Sequence, residues 1–205
     1  MVKHLFVDDL PKHLYLDTCF LVNAHYSYPE GTSYVDRKNY KESKVATKFL
    51  ELLLSTNTKV SVSSMVFPEF WKAILINAIA DNESLPSVRN KAEAAEKFLS
   101  ENPLSIKKYF NKIEEATTKL AKLFESSGGK IKVRESCQKV NEKAMQAMKD
   151  FCLHSYDSIH IGSMISDGIN DFVTGDNGII SNCSKQYNIW TYPSSFQQLD
   201  YILKQ

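Results

Sequence analysis

Four carboxylates, Asp17, Glu69, Asp157 and Asp176, stand where strand or helix ends would aim them at one shared point. Asp17 closes the apolar stretch His13-Leu14-Tyr15-Leu16. Asp176 follows the stretch Asp171-Phe172-Val173-Thr174, inside Gly175-Asp176-Asn177-Gly178. In open α/β sheets, ligands bind outside the carboxyl ends of the strands. Carboxylates gathered there repel one another unless a cation neutralises them. Hard divalent cations such as Mg²⁺ take oxygen ligands. These residue types in these places point to a metal site and, through it, to phosphoryl chemistry.

Each acid also has a purely structural reading. Asp17 or Thr18 can simply cap the following helix. Glu69 and Asp157 are first-turn acids, favourable against a helix dipole with no further role. Gly-Asp-Asn-Gly is also what a plain turn looks like. His160 lies one turn beyond Asp157 on the same helical face. It either bonds a ligand or carboxylate, or it is a satisfied histidine of the core. Asp171 belongs to the opposite sheet edge, and Asp167 reads as solvent-exposed. The joint pattern carries more than any one of these residues.

The elements that must position the acids follow from periodicity. Strands are expected at 13–17, 59–63, 172–174 and 188–191, with a short one at 130–134. Helices are expected at 18–25, around Val45, Phe49, Leu52 and Leu53, and from a Ser63 or Ser64 cap through Glu69 to Ala78. Pro68 fits that helix only near its first turn. Further helices are expected at 136–154, with Val140, Ala144, Met145, Met148 and Cys152 on one side, at 155–168, and at 194–203. Residues 86–126 read as two helices broken near Asn102-Pro103, with Ala92, Ala95, Phe98, Leu99, Ile113, Leu120 and Phe124 as internal packing. Alternating strands and helices imply an α/β fold: a central, mostly parallel sheet flanked by helices, with residues 86–126 as an enlarged helical insertion in a single domain spanning 1–205.

Composition narrows the class. At 205 residues with 43% hydrophobic and 24% charged content, the chain suits one globular domain with a sizeable core. A net charge of +1 means that any polyanion partner must be met by a local basic patch. The amino terminus lacks the apolar core of a signal peptide, and no apolar run approaches membrane-span length. Cys19, Cys137, Cys152 and Cys183 make no C-x-x-C pair and no zinc spacing. They read as reduced thiols of a cytoplasmic protein.

The segments Leu14-Tyr15-Leu16-Asp17-Thr18, Ser64-Met65-Val66-Phe67-Pro68-Glu69, Asp157-Ser158-Ile159-His160-Ile161-Gly162 and Val173-Thr174-Gly175-Asp176 occur in the order of the four acidic motifs of PIN-domain ribonucleases. The chain resembles that family, and within it the VapC-type toxins. The resemblance covers most of the chain outside residues 86–126. The third and fourth motifs are its most specific parts.

The resemblance implies a PIN-like fold and a Mg²⁺- or Mn²⁺-dependent endoribonuclease, the toxin of a toxin–antitoxin pair. It implies that Asp17, Glu69, Asp157 and Asp176 hold one or two metal ions and do the catalysis. Thr18, Ser64, His160 and Thr174 would then donate hydrogen bonds behind the ligands. It also implies an antitoxin whose tail enters the acidic site, and a homodimer whose usual surface residues 86–126 put in question. RNA needs a basic track, for which Lys107, Lys108, Lys132 and Arg134 are candidates, or else a solvated helical surface. Tyr28, with Tyr26 and Tyr34, either stacks unpaired bases or packs its loop. Two alternatives stay open: a non-catalytic RNA- or protein-binding scaffold, and a DNA-directed, structure-specific nuclease. A phosphotransfer site with Asp17 as acceptor would want a second acid where Cys19 stands.

Overall fold

The computed structural model describes residues 1–6, 8–26, 28, 34–83 and 91–205. Six strands form one sheet: β1 (Val2–His4), β2 (His13–Leu16), β3 (Lys59–Ser63), β4 (Ile131–Arg134), β5 (Asp171–Val173) and β6 (Asn188–Thr191). Their spatial order is β1-β6-β5-β2-β3-β4, and every pairing is parallel. The expectation of a mostly parallel sheet is thus met and exceeded. Both faces are covered, so central strands read as near-continuous buried runs. In β2 Leu14, Tyr15 and Leu16 are buried, and in β3 everything after Lys59 is buried.

From β2 the chain moves outward one way, to β3 and β4. From β5 it moves the other way, to β6, which pairs on its outer side with β1, the first strand of the chain. The strand order therefore reverses between β2 and β5, whose residues Tyr15 and Leu16 pair with Phe172 and Val173. A crevice outside the carboxyl ends of such a pair is the natural ligand site of an open α/β sheet.

One face packs α1 (Thr18–His25), α2 (Tyr34–Ser55), α3 (Val66–Asn82), α5 (Ile106–Ser126) and α9 (Phe196–Lys204) around Leu14, Leu16, Phe20, Phe49 and Phe70. The other packs α6 (Gln138–Phe151), α7 (Ser155–Ser166) and α8 (Asn177–Cys183) around Tyr15, Phe172 and Ile161. A third cluster joins α3 to α4 (Lys91–Glu101) and α5 through Ile79, Ala95 and Tyr109. A 3-10 turn at Pro103–Ser105 makes the expected break between α4 and α5. Among the described residues, no helix is long and apolar enough to cross a membrane.

Helices α6 and α7 meet at closest range. A Cβ on Gly162 would lie 2.6 Å from the Ala144 nitrogen and 2.8 Å from the Val140 carbonyl oxygen. Only hydrogen fits at that crossing. The buried stripe of α6 is accordingly Val140, Ala144 and Ala147, while Met145 and Met148 face outward. Cys152 is not part of the stripe: it is exposed and ends the helix in left-handed geometry at φ 51°.

Three further expectations are corrected. Neither Ser63 nor Ser64 caps α3; Met65 holds the cap position without a side-chain bond, and the Ser63 hydroxyl accepts from the Met65 amide at 3.1 Å. Asp167 is not free in solvent, because Arg134 Nε lies 2.6 Å from its carboxylate. Residues 177–183 are a helix rather than the end of a turn.

Candidate active site

Asp17 ends β2 and opens α1. Its Oδ1 accepts the Thr18 amide at 2.7 Å, so the capping reading holds. Its Oδ2 accepts the Thr174 hydroxyl at 2.6 Å and the Cys19 thiol at 3.0 Å. Thr174 sits just past β5, and its amide bonds to Trp190 of β6. Three neighbouring strands therefore fix the first acid, which is 5% exposed.

Glu69 lies in the first turn of α3. Its Oε2 accepts from the Thr18 hydroxyl and from His160 Nε2, the latter at 2.7 Å. Burial pushes Glu69 toward its neutral form, but the His160 and Thr18 bonds win and hold its pKa below the usual value. Burial pushes His160 down, and the Glu69 bond with the nearby Asp17 and Asp157 charges outweighs it, so its pKa is raised. Both shifts favour the charged forms of the pair. His160 is 1% exposed, its Nδ1 lies 3.3 Å from the Tyr15 hydroxyl, and its Nε2 lies 3.9 Å from Asp17. The histidine is both a satisfied core residue and a partner of two motif acids.

Asp157 opens α7 and accepts no hydrogen bond among the described residues. Its pKa is pushed up to about 6, first by burial and then by the facing charges of Asp176 and Asp17. Asp176 is the cap of α8: its Oδ1 accepts the Gly178 and Ile179 amides at 2.7 and 3.0 Å, and its own amide bonds to Thr174. Asp17, Glu69 and Asp176 thus each have a structural role, Asp157 has only its first-turn place on α7, and the four face one another.

All four line one cavity of about 320 Å³, with Thr18, Cys19, Asn23 and Tyr28. The Tyr28 hydroxyl donates to Asn23 at 3.2 Å and accepts from Asn77 at 3.3 Å, and burial pushes the phenol up to about 12. Its ring meets Tyr26 edge-on at 4.9 Å. Tyr34 instead packs on Phe196 of α9.

Other expected residues are placed elsewhere. Ser64 makes only backbone bonds, to Arg134 and Phe67. Lys108 pairs with Glu83, and Arg134 with Asp167. Lys107 and Lys132 are exposed, and none of the four basic residues lines the cavity. Cys19 and Asn23 were not foreseen as lining residues. Their spacing of four on the helix that opens with Asp17 was the available signal.

Among the described residues, no group of three His, Cys, Asp or Glu side chains is arranged to grip a metal ion as it stands. The cavity still suits one kind of cation. Mg²⁺ keeps several waters and is bound by one or two carboxylates plus substrate phosphates, rather than by an all-protein cage. A carboxylate left without a hydrogen bond, whose charge burial and the facing acids oppose, as at Asp157, has the hard oxygen donor such an ion takes and a charge such an ion would offset.

No family model and no curated protein sequence matches the chain. Among solved structures, the chain is similar to one described as the crystal structure of VapBC2 from Rickettsia felis bound to a DNA fragment from their promoter. Identity is 12% and the TM-score 0.48, over 88% of this chain and 99% of that one. Likeness at that level says nothing of chemistry, which rests on the cavity itself.

Proposed function

We propose that this chain is a metal-dependent endoribonuclease that hydrolyses phosphodiester bonds at the four-acid cavity, with Mg²⁺ or Mn²⁺ as cofactor. The observation that supports it is the meeting of Asp17, Glu69, Asp157 and Asp176 in one cavity at the strand-order reversal. Four carboxylates face one another there, and among the described residues only His160 is a bonded counter-charge. Uncompensated carboxylate charge of this kind favours a divalent cation.

Asp17, Asp157 and Asp176 present the oxygens toward which that ion is drawn. When bound, the ion supplies a water of lowered pKa and offsets charge on the attacked phosphate. Thr174 and the Thr18 amide hold Asp17 in one orientation. His160 and the Thr18 hydroxyl hold Glu69 by Oε2, leaving Oε1 to orient a water. RNA as the substrate, a toxin's role and an antitoxin whose tail enters the cavity rest on the four-motif resemblance. A cationic antitoxin side chain would meet the same unbalanced charge as the metal.

The test is cleavage of a pool of single-stranded and structured RNAs with Mg²⁺, Mn²⁺ or EDTA, by parent and Asp157→Asn. Metal-dependent cutting that the variant loses is the expected result. A folded parent that cuts neither RNA nor DNA with either metal refutes the proposal. Cutting of DNA alone moves the substrate and keeps the site.

A further inference from the structure

The four-acid cavity has a second end that the proposed metal site does not use. Besides the acids, Thr18 and Cys19, it is lined by Val22, Asn23, Tyr28 and Ala73, none of them charged. Asn23 lies on α1 beyond Asp17, about 9 Å further along at 1.5 Å per residue. Ala73 lies one turn beyond Glu69 on α3. Both helices thus carry neutral side chains away from the acids along the same cavity. The distance is about the reach from a backbone phosphate to its own base.

Asn23 is held at both ends of its carboxamide. Its Oδ1 accepts the Tyr28 hydroxyl and its Nδ2 donates to the Tyr192 hydroxyl, each at 3.2 Å. Both tyrosines are themselves fixed. Tyr28 accepts from Asn77 at 3.3 Å, and the buried Tyr192 stacks on Phe20 with ring centres 5.9 Å apart. A carboxamide carries two N–H donors and two acceptor lone pairs. Among the described residues, one donor and one lone pair of Asn23 therefore remain unused at the cavity wall.

We infer that this end of the cavity seats the nucleobase next to the scissile phosphate, and that Asn23 reads it as adenine. The inference rests on the hydrolysis proposed above. A second phosphate is a poor occupant, because among the described residues no Lys or Arg lines the cavity. Val22, Ala73 and the Tyr28 ring offer apolar walls to a flat ring. Guanine's paired acceptors call for a cationic side chain, which this end lacks. A carboxamide instead pairs bidentately with the amino group and ring nitrogen of adenine. Unpaired bases are read in this way, by their hydrogen-bonding edges beside a packed face. Because two hydroxyls already hold Asn23, little of its freedom is lost on pairing.

The test sequences the cut ends of a random RNA pool, or a DNA pool if only DNA is cut, cleaved with Mn²⁺ by the parent, Asn23→Leu and Tyr28→Phe. The parent is expected to favour adenine at one position beside the cut by about tenfold, within what a bidentate base contact discriminates. Asn23→Leu should melt with the parent and cut adenine sites no faster than the rest. Tyr28→Phe keeps the ring and drops the hydroxyl that holds Asn23, so it should weaken the preference and decides the matter if Asn23→Leu does not fold. A parent without base preference, a preference for another base, or one that survives both variants overturns the inference while leaving the metal site standing. A parent that cuts nothing refutes the hydrolysis instead, and the base subsite is then judged by binding alone. Nuclear magnetic resonance with adenosine, cytidine, guanosine and uridine in EDTA reads it. Saturation transfer to adenosine that Asn23→Leu abolishes upholds the subsite; equal transfer to all four, or none, overturns it.

Discussion

The four-acid cavity and the open apolar groove between α3 and α5 are opposite kinds of incompleteness. In the cavity, side chains from both faces of the sheet are tied into one hydrogen-bond network, and what remains unmet is electrostatic. Asp157 shows this most directly, its ionisation opposed by burial and by its neighbours' charge. In the groove, Trp71 of α3 and Ile106 and Phe110 of α5 leave apolar surface in water, and what remains unmet is hydrophobic. The charge deficit names its ligand, a small hard cation; the apolar one names none.

The largest test of that division is Asp17→Asn. Losing a charged oxygen from the centre of the network should cut phosphodiester hydrolysis by about a hundredfold or more, since metal-borne stabilisation is worth several kcal/mol. Initial rates at saturating Mn²⁺ measure it. If Phe110→Glu lowers the rate as much while the protein stays folded, the cavity and the groove are not separate devices.

Next comes Gly162→Ala. The added methyl would overlap the α6 backbone, so α7 must move or the helices part, at a cost of about 2 kcal/mol. The urea midpoint reports this. Because α7 carries Asp157 and His160, activity should fall with it. Thr118→Ala on the groove side should stay within about 0.5 kcal/mol of the parent. Equal midpoints for the two variants would remove the contrast.

His160→Gln should lower the rate by about tenfold, as losses behind a ligand shell commonly do. A full-rate variant would show that Glu69 needs no partner to be held.

The smallest effect has a sign that pH reveals. Asp157 ordinarily ionises near 3.8 but keeps its proton to about 6 in the folded chain. Between those values the folded state binds more protons than the unfolded one, so stability falls as pH rises from about 4 to about 6. Asp157→Asn lacks that loss. With metal absent it should be more stable than the parent by about 1 kcal/mol at pH 8, discounted for its half-exposed position, and gain nothing near pH 4. Thermal melts in EDTA at the two pH values decide it; a gain of equal size at both would assign the effect to packing.

The acids were legible because each sits at an element end, where a carboxylate's backbone role and its chemical role coincide. The central strands were legible from unbroken apolar runs. Strand β1 was not, since Val2-Lys3-His4 carries no local signal and becomes a strand only by pairing with β6. Helix α8 was read as a turn because a cap residue such as Asp176 is also a turn residue. Met145 and Met148 were placed inward by period alone, where the tight α6–α7 crossing admits only small side chains. The basic residues are a related case. Charge in a sequence does not say which way a side chain faces, and Arg134 and Lys108 find acids elsewhere. The groove stayed hidden because apolar residues at helical spacing read as core, and α5 has two such stripes.

Strand order also bears on how the protein comes into being. Asp17 is steadied by Thr174, 157 residues further along, and β1 waits for a neighbour that is translated almost last. At about 5–20 residues per second, roughly ten to thirty seconds of synthesis separate the first acid from the hydroxyl that orients it. A nascent chain therefore carries no assembled four-acid cavity while most of it is being made. Aborted products ending before residue 171 would lack the fourth acid. A ribosome making this chain meets the assembled cavity only as the final strands emerge.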